Sequence, residues 1–461
     1  MGLVWFKVFY LLFATTASLA TLEGNESNDD YSIKQNGIQL NVHHVQGPGS
    51  TLGSPLPLLD VLLHDEEHVK SLARRITRKS VNDTSAFHHK SGNLLEPNSA
   101  GIPLNSGLSI GSGNYYVKLG LGSPPKYYSM LIDTGSSLTW LQCRPCIIYC
   151  HIQVDPIFEP KASKTYRALS CASSECSLLK SSTLNDPACD IDRKACVYTA
   201  SYGDQSFSMG FLSQDLLSLT PSQTFPSFTY GCGQDNQGLY GKAAGIIGLA
   251  HGKLSMLDQL STKYGNAFSY CLPTSGSPTS GGGFLSIGKI APSPYKFTPM
   301  IDDPRNPGLY LLSLAAITVA GRPLGLSAAR YKVPTIIDSG TVITRLPTSI
   351  YSVLKQAFVT IMSSKYKPAP AFEILDACFQ GTPKSISAVP EIQLIFKGGA
   401  NLALGPQNIL LEVDEGVTCL AIASSSGSSP IAIIGNYQQQ TFNVAYDVST
   451  RRIGFAPGGC R

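Results

Sequence analysis

Ser129-Met130-Leu131-Ile132-Asp133-Thr134-Gly135-Ser136 recurs further along the chain as Pro334-Thr335-Ile336-Ile337-Asp338-Ser339-Gly340-Thr341. Each copy is a short apolar run, read as a strand, ending in Asp, a hydroxyl residue, Gly and a second hydroxyl residue. A second repeat follows each: Gly245-Ile246-Ile247-Gly248 after the first copy and Ala432-Ile433-Ile434-Gly435 after the second. Such an internal duplication indicates two similar lobes that can face each other. A lone Asp in such a turn reads as a turn former. A matched pair on facing turns reads as chemistry, because two carboxylates held a few ångström apart cannot both ionise and so share a proton. One can then take a proton from a bound water while the other donates to a carbonyl. Gly135 and Gly340 allow the backbone to approach the pair closely, and the Ser136 and Thr341 hydroxyls can orient the carboxylates.

Around these motifs lies a chain of 461 residues, 43% hydrophobic, with 43 Gly and 30 Pro, a composition that excludes disorder and collagen. Only 14% of residues are charged and the formal net charge is +4, too weak to imply a polyanionic partner. Residues 1–100 differ from the rest: they carry 8 Lys/Arg against 10 Asp/Glu, and six of the eight histidines (His43, His44, His64, His68, His88, His89). Residues 1–20 read as a secretory signal, with Lys7, an apolar stretch and the small-residue end Ser18-Leu19-Ala20. No later run has the length of a membrane span. Residues 21–100 read as a detachable, cysteine-free prosegment with glycosylation sequons at Asn25 and Asn82. Within it Val69, Leu72, Ala73 and Ile76 share one helical face. Asp65, Glu66 and Glu67 are expected at the front of that helix and Arg74, Arg75, Arg78 and Lys79 at its back.

From about Gly111 onward, short alternating or apolar runs are broken by Gly, Pro, Ser and Asn, the pattern of a mainly β protein. Expected strands include Tyr115 to Leu121, Tyr128 to Ile132, Gly283 to Ile287, Leu309 to Val319, Ile392 to Phe396 and Asn443 to Tyr446. Helices are expected at Leu254 to Tyr264 and Ser349 to Met362. Twelve cysteines behind a secretory leader imply disulfides. Seven (Cys143, Cys146, Cys150, Cys171, Cys176, Cys189, Cys196) crowd together; because seven is odd, one must pair outside, and Cys232 is nearest. A zinc site built on Cys143 and Cys146 would need a second such pair, and none follows. No metal and no cofactor is expected.

With Asp133-Thr134-Gly135-Ser136-Ser137-Leu138-Thr139-Trp140, Asp338-Ser339-Gly340-Thr341 and Tyr202-Gly203-Asp204, the stretch from Gly111 to Cys460 resembles a pepsin-type aspartic protease. Tyr230-Gly231-Cys232-Gly233 and Phe268-Ser269-Tyr270-Cys271-Leu272 make it similar to the nepenthesin-type plant branch, and within that to the chloroplast nucleoid DNA-binding-like subgroup. The resemblance implies a bilobal fold with a cleft between an N-terminal lobe, 101–295, bearing a cysteine-rich insertion at 141–200, and a C-terminal lobe, 296–461. It implies Asp133 and Asp338 as catalytic residues whose carboxylate pair is the known case of such proton sharing. Tyr202 and Gly203 would form a flap, with Trp140 supporting Tyr202; Gln205 stands where many flaps have Gly. The implied disulfides are Cys143 with Cys146, Cys150 with Cys232, Cys171 with Cys196, Cys176 with Cys189, Cys271 with Cys460, and Cys378 with Cys419.

The reading that follows is a secreted, monomeric, acid-acting endopeptidase made as a zymogen. Its partners are protein or peptide substrates and its own prosegment as an intramolecular inhibitor, in the apoplast or alternatively a vacuole or plastid. Three other readings compete with it. Gly107-Leu108-Ser109-Ile110-Gly111 fits a serine-hydrolase elbow but lacks the strand before and helix after that the elbow needs. A binding or inhibitor protein on the same fold would typically lose part of the Asp motifs. A nucleic-acid-binding role for the basic stretch Lys70 to Lys79 conflicts with a removable, secreted segment.

Overall fold

The computed structural model describes residues 31–34, 37–44, 58–77 and 114–460, except 203–205, 239, 275–282, 289, 291–293, 305 and 426–430. The signal at 1–20, both sequons, His88, His89, Gly203 and Gln205 lie outside the described residues. Tyr31–Arg461 forms one unit.

The architecture is mainly β, as expected. The strand Lys126–Asp133 is buried from Tyr128 onward, and its run of consecutive apolar residues has neighbours on both edges. It pairs antiparallel with Tyr115–Leu121 and parallel with Gly245–Gly248, the latter placing Gly248 opposite Asp133. Gly245–Gly248 in turn pairs antiparallel with Trp140–Gln142, so the chain leaves Asp133, loops, and returns across the same strand. The second half repeats the arrangement: Thr335–Ile337 lies parallel to Ala432–Ile434, which pairs antiparallel with Thr344–Leu346 at Arg345↔Ile433. The closing glycine of each apolar-apolar-Gly run has a steric cause. A Cβ on Gly248 would lie 2.2 Å from the Ser137 carbonyl oxygen, and one on Gly435 2.6 Å from that of Val342, where the Asp-bearing loop crosses.

A further sheet ties the two halves together. Ala267–Cys271 pairs with Gly283–Gly288 on one side and with Phe442–Asp447 on the other, and the latter with Arg452–Pro457. The N-terminal segment, through its strand Gly37–His44, enters this sheet. Gly37–His44 pairs with Gly283–Gly288 and reaches Tyr115–Tyr116, burying Leu40 and Val42. The alternation Ile38, Leu40, Val42 carries this strand, although the segment reads as polar overall.

Helix α1 (Leu58–Thr77) buries Val69, Leu72, Ala73 and Ile76, the expected face, against Leu309, Leu311, Ile336, Ile431 and Ile433. It begins about two turns earlier than the charge pattern predicts. Val61 and Leu62 are also buried, and Asp65 lies mid-helix at 3% exposure instead of at a solvated front. The helices at Met256–Tyr264 and Thr348–Met362 match expectation, the first capped by Ser255, whose hydroxyl accepts from the Asp258 amide.

All twelve cysteines form disulfides, but the pairing corrects four of the six expected bridges. The bridges are Cys143–Cys232, Cys146–Cys150, Cys171–Cys189 and Cys176–Cys196, with Cys271–Cys460 and Cys378–Cys419 as expected. The reason is strand register and facing. Trp140–Gln142 runs parallel to the strand bearing Cys232, and the Cys143 amide donates to Gly233 O at 2.7 Å, which leaves the Cys143 and Cys232 Cα atoms 5.3 Å apart. Cys196 and Cys176 are both buried in the core, whereas Cys189, opposite Cys196 in register but on the exposed edge strand of the sheet, bonds Cys171. Cys232 does take one of the seven crowded cysteines, Cys143 in place of Cys150.

Candidate active site

Asp133 ends its strand at 5% exposure and Asp338 lies just beyond Thr335–Ile337 at 0%. The tight turn after each lets the backbone fold over its own carboxylate. The Gly135 amide donates to Asp133 Oδ1 at 2.8 Å and the Gly340 amide to Asp338 Oδ1 at 3.1 Å. The Ser136 hydroxyl donates to Asp133 Oδ2, and Thr341 Oγ1 donates to Asp338 Oδ2 at 2.7 Å. The two carboxylates meet. A Cβ added at Gly135 would sit 3.1 Å from Asp338 Oδ1 and 3.2 Å from Asp133 Oδ1, and one at Gly340 would sit 2.7 Å from Asp133 Oδ1. A side chain at Gly340 would displace Asp133, and one at Gly135 would press on both carboxylates.

Two residues that sequence reading did not single out lock the loops together. Ser339 N donates to Thr134 Oγ1 at 2.8 Å, and Thr134 N donates to Ser339 Oγ at 3.2 Å. Thr134 Oγ1 donates onward to Asp338 Oδ1 at 3.2 Å. The repeated hydroxyl between Asp and Gly in both motifs is the sequence trace of this reciprocal pair.

Trp140 is fully buried and its Nε1 donates to the Tyr202 hydroxyl at 2.7 Å, so the expected flap pair is in contact. Tyr202 N donates to Ser206 O, while residues 203–205 between them lie outside the described residues. Tyr240, unforeseen from sequence, packs edge-on against both rings, with centroids 4.7 Å from Trp140 and 6.0 Å from Tyr202. A cavity beside Asp133 is lined by Tyr202, Tyr240 and Gly340 together with His64, Asp65 and His68 of α1.

Helix α1 thus occupies the site. His68 Nε2 lies 2.9 Å from Asp338 Oδ2, and Arg75 Nη1 donates to Gly135 O at 2.8 Å. The disfavoured nucleic-acid-binding reading of the basic stretch meets a different use of its charges, since Lys70 is paired with Glu67 and Arg75 reaches the loop that holds Asp133. Burial raises the Asp133 carboxyl and the neighbouring Asp338 charge raises it further. Burial also raises Asp338, but the hydrogen bond and charge of His68, with Thr341 and Gly340, outweigh it and hold Asp338 below the ordinary carboxylate range. The environments push the two carboxyls apart, Asp133 upward and Asp338 downward.

Residues 115–289 match the family model described as "Xylanase inhibitor N-terminal" and residues 309–457 that described as "Xylanase inhibitor C-terminal". An Arabidopsis thaliana aspartyl protease family protein is 40% identical over 427 residues, covering 91% of this chain and 87% of that one. Aspartic proteinase nepenthesin-2 of Nepenthes gracilis is 36% identical, covering 88% and 91%. Among solved structures, basic 7S globulin from soybean superposes with a TM-score of 0.59 at 22% identity, over 75% of this chain and 93% of that one. At that identity the likeness speaks to the fold.

Proposed function

The chain belongs to the plant family of pepsin-type aspartic proteases and is an aspartic-type peptide hydrolase, and on that premise we propose that Asp133 and Asp338 perform the hydrolysis with one water. The observation that carries this is the meeting of the two buried carboxylates, each held by its own glycine amide and hydroxyl. The ionised member takes a proton from water as the oxygen attacks the peptide carbonyl, and the protonated member donates to the carbonyl oxygen. Collapse of the tetrahedral species returns a proton to the departing amine. Tyr202 and Trp140 would give the cleft an aromatic wall suited to bulky apolar residues beside the scissile bond.

The protein is further proposed to be made as a secreted, monomeric zymogen acting on protein or peptide substrates at acidic pH, with the prosegment as its inhibitor. Supporting this, α1 fills the place where water and substrate must bind, and six disulfides suit an oxidising compartment. No helix among the described residues is long and apolar enough to cross a membrane. The inhibitor reading suggested by the family model's name is disfavoured here by both complete Asp motifs.

The pH trigger follows from the groups around Asp338: His68, Asp133, Arg75 and the buried hydroxyls of Tyr270 and Tyr446. Because the docked pKa of Asp338 is depressed, its contribution to docking is full above the ordinary carboxylate range. That contribution is lost as pH falls through the docked value. Protonating all six prosegment histidines would add positive charge and repulsion overall, but a protonated His68 facing ionised Asp338 attracts. Release by acid therefore runs through the carboxylates. His68→Gln is expected to move the activation midpoint upward, by on the order of one pH unit.

The test is to incubate the purified precursor across pH with and without pepstatin, following its mass and its cleavage of a denatured protein. The expected result is acid-dependent loss of the segment before about residue 101, and pepstatin-sensitive digestion. Pepstatin-insensitive digestion, or none, would sink the catalytic assignment. An unchanged midpoint in His68→Gln would sink the role of His68.

A further inference from the structure

Asp65 is an acid buried in the middle of a helix, and its partners explain why. Its carboxylate accepts from the backbone N–H of Val342 and, at 3.1 Å, from that of Ile343, and it lies 2.9 Å from Arg345 Nη2. The side chains of Asp65 and Arg345 are both wholly buried. Glu66 Oε2 stands 3.4 Å from Arg345 Nε. Three donors from the strand and loop after Asp338 therefore converge on one carboxylate: two consecutive amides and a guanidinium, whose fork suits a carboxylate.

Both acids that neutralise Arg345 belong to α1. The remaining contact from the catalytic part, Nη1 to Ile343 O at 2.8 Å, carries no counter-charge. Asp376, which acts with Arg345 on Tyr351, is already held by the Tyr351 hydroxyl and by Lys355 Nζ, the latter at 2.7 Å. Once α1 departs, the cleft retains a guanidinium and two aligned amides that have lost their anion, and a buried cation without a partner is costly.

We propose that Arg345, with the Val342 and Ile343 amides, forms a substrate subsite of the processed enzyme that takes an acidic side chain, and that Asp65 fills it in the precursor. This rests on the protease and zymogen reading above. The subsite is close to the chemistry. Asp65 precedes His68, which touches Asp338, by three positions on α1, about 4.5 Å along the helix axis. An extended peptide covers that span in one to two residues at about 3.3 Å each. The cleft then combines apolar selection beside the scissile bond with carboxylate selection a residue or two away.

The experiment uses the processed enzyme and peptides sharing one apolar cleavage pair, with Glu, Gln or Lys at each of the two flanking positions on either side. At about pH 5, above the ordinary Glu pKa of about 4.3, one position is expected to favour Glu over Gln by about tenfold or more in kcat/KM. The effect should lie mainly in KM, with Lys poorest. Arg345→Gln, made together with Asp65→Asn and Glu66→Gln so that the precursor buries no unpaired charge, is expected to bring the Glu/Gln ratio to about one. Equal cleavage of Glu and Gln peptides at every position by the wild-type enzyme overturns the subsite, and this comparison decides even if the variant does not fold. A Glu preference surviving in the variant overturns it too. Failure to cleave any peptide, the Gln series included, overturns the protease reading and the subsite with it.

Discussion

Asp133→Asn is expected to lower kcat by about 10³-fold or more while leaving the fold intact. The side chain sits in a turn at the end of a strand, and Asn keeps its size and an oxygen to accept from the Gly135 amide. What it loses is the shared proton. An amide can neither hold the proton that burial and the Asp338 charge direct to this position nor exchange it with the substrate carbonyl oxygen. General acid–base groups typically contribute about 10²- to 10⁴-fold. Because the variant cannot process itself, it is best matured by a trace of wild-type enzyme, then assayed for peptide turnover beside its thermal melt. Turnover within a few-fold of wild type, at an unchanged melt, would reject Asp133 as a catalytic residue.

The second large effect concerns stability. Cys271–Cys460 joins residues 189 apart and ties Ala267–Cys271 to the chain end beyond Arg452–Pro457, strands of the sheet shared by both halves of the molecule. In the chain-entropy account a loop of this length restrains the unfolded state by about 5 kcal/mol, and removing a native bridge commonly costs about 2 to 5 kcal/mol. Net stabilities are themselves only about 5 to 15 kcal/mol. The double variant Cys271→Ser/Cys460→Ser should therefore unfold at markedly lower denaturant. Non-reducing peptide mapping of the wild type should return Cys143–Cys232 and Cys146–Cys150 in place of the pairing that family resemblance implies. An unchanged unfolding midpoint would show that the sheet, not the bridge, holds the chain end.

Much of the site was legible because its parts are local and duplicated. Asp133 with Gly135 and Ser136, and Asp338 with Gly340 and Thr341, are bound within their own turns, so spacing alone exposes them. The apolar face of α1 was legible from helical periodicity. The strand Gly37–His44 is not legible, because three alternating apolar residues in a polar segment are a weak signal until the edge that they complete is known.

The duplicated strand-turn architecture, the mainly β class and the two paired aspartates follow from local sequence, since each depends on residues within a few positions of one another. Tertiary structure alone decided the disulfide partners, the reciprocal Thr134–Ser339 lock, the seating of His68 on Asp338 and the burial of Asp65 against Arg345. Each of these joins groups far apart in the chain, and whether they meet depends on strand register and on which face a side chain takes. A shift of one residue in register reverses that face. A cysteine beside another in sequence can thus point away from it, and an acid that reads as a solvated helix front can be the buried partner of an arginine in the second half of the chain.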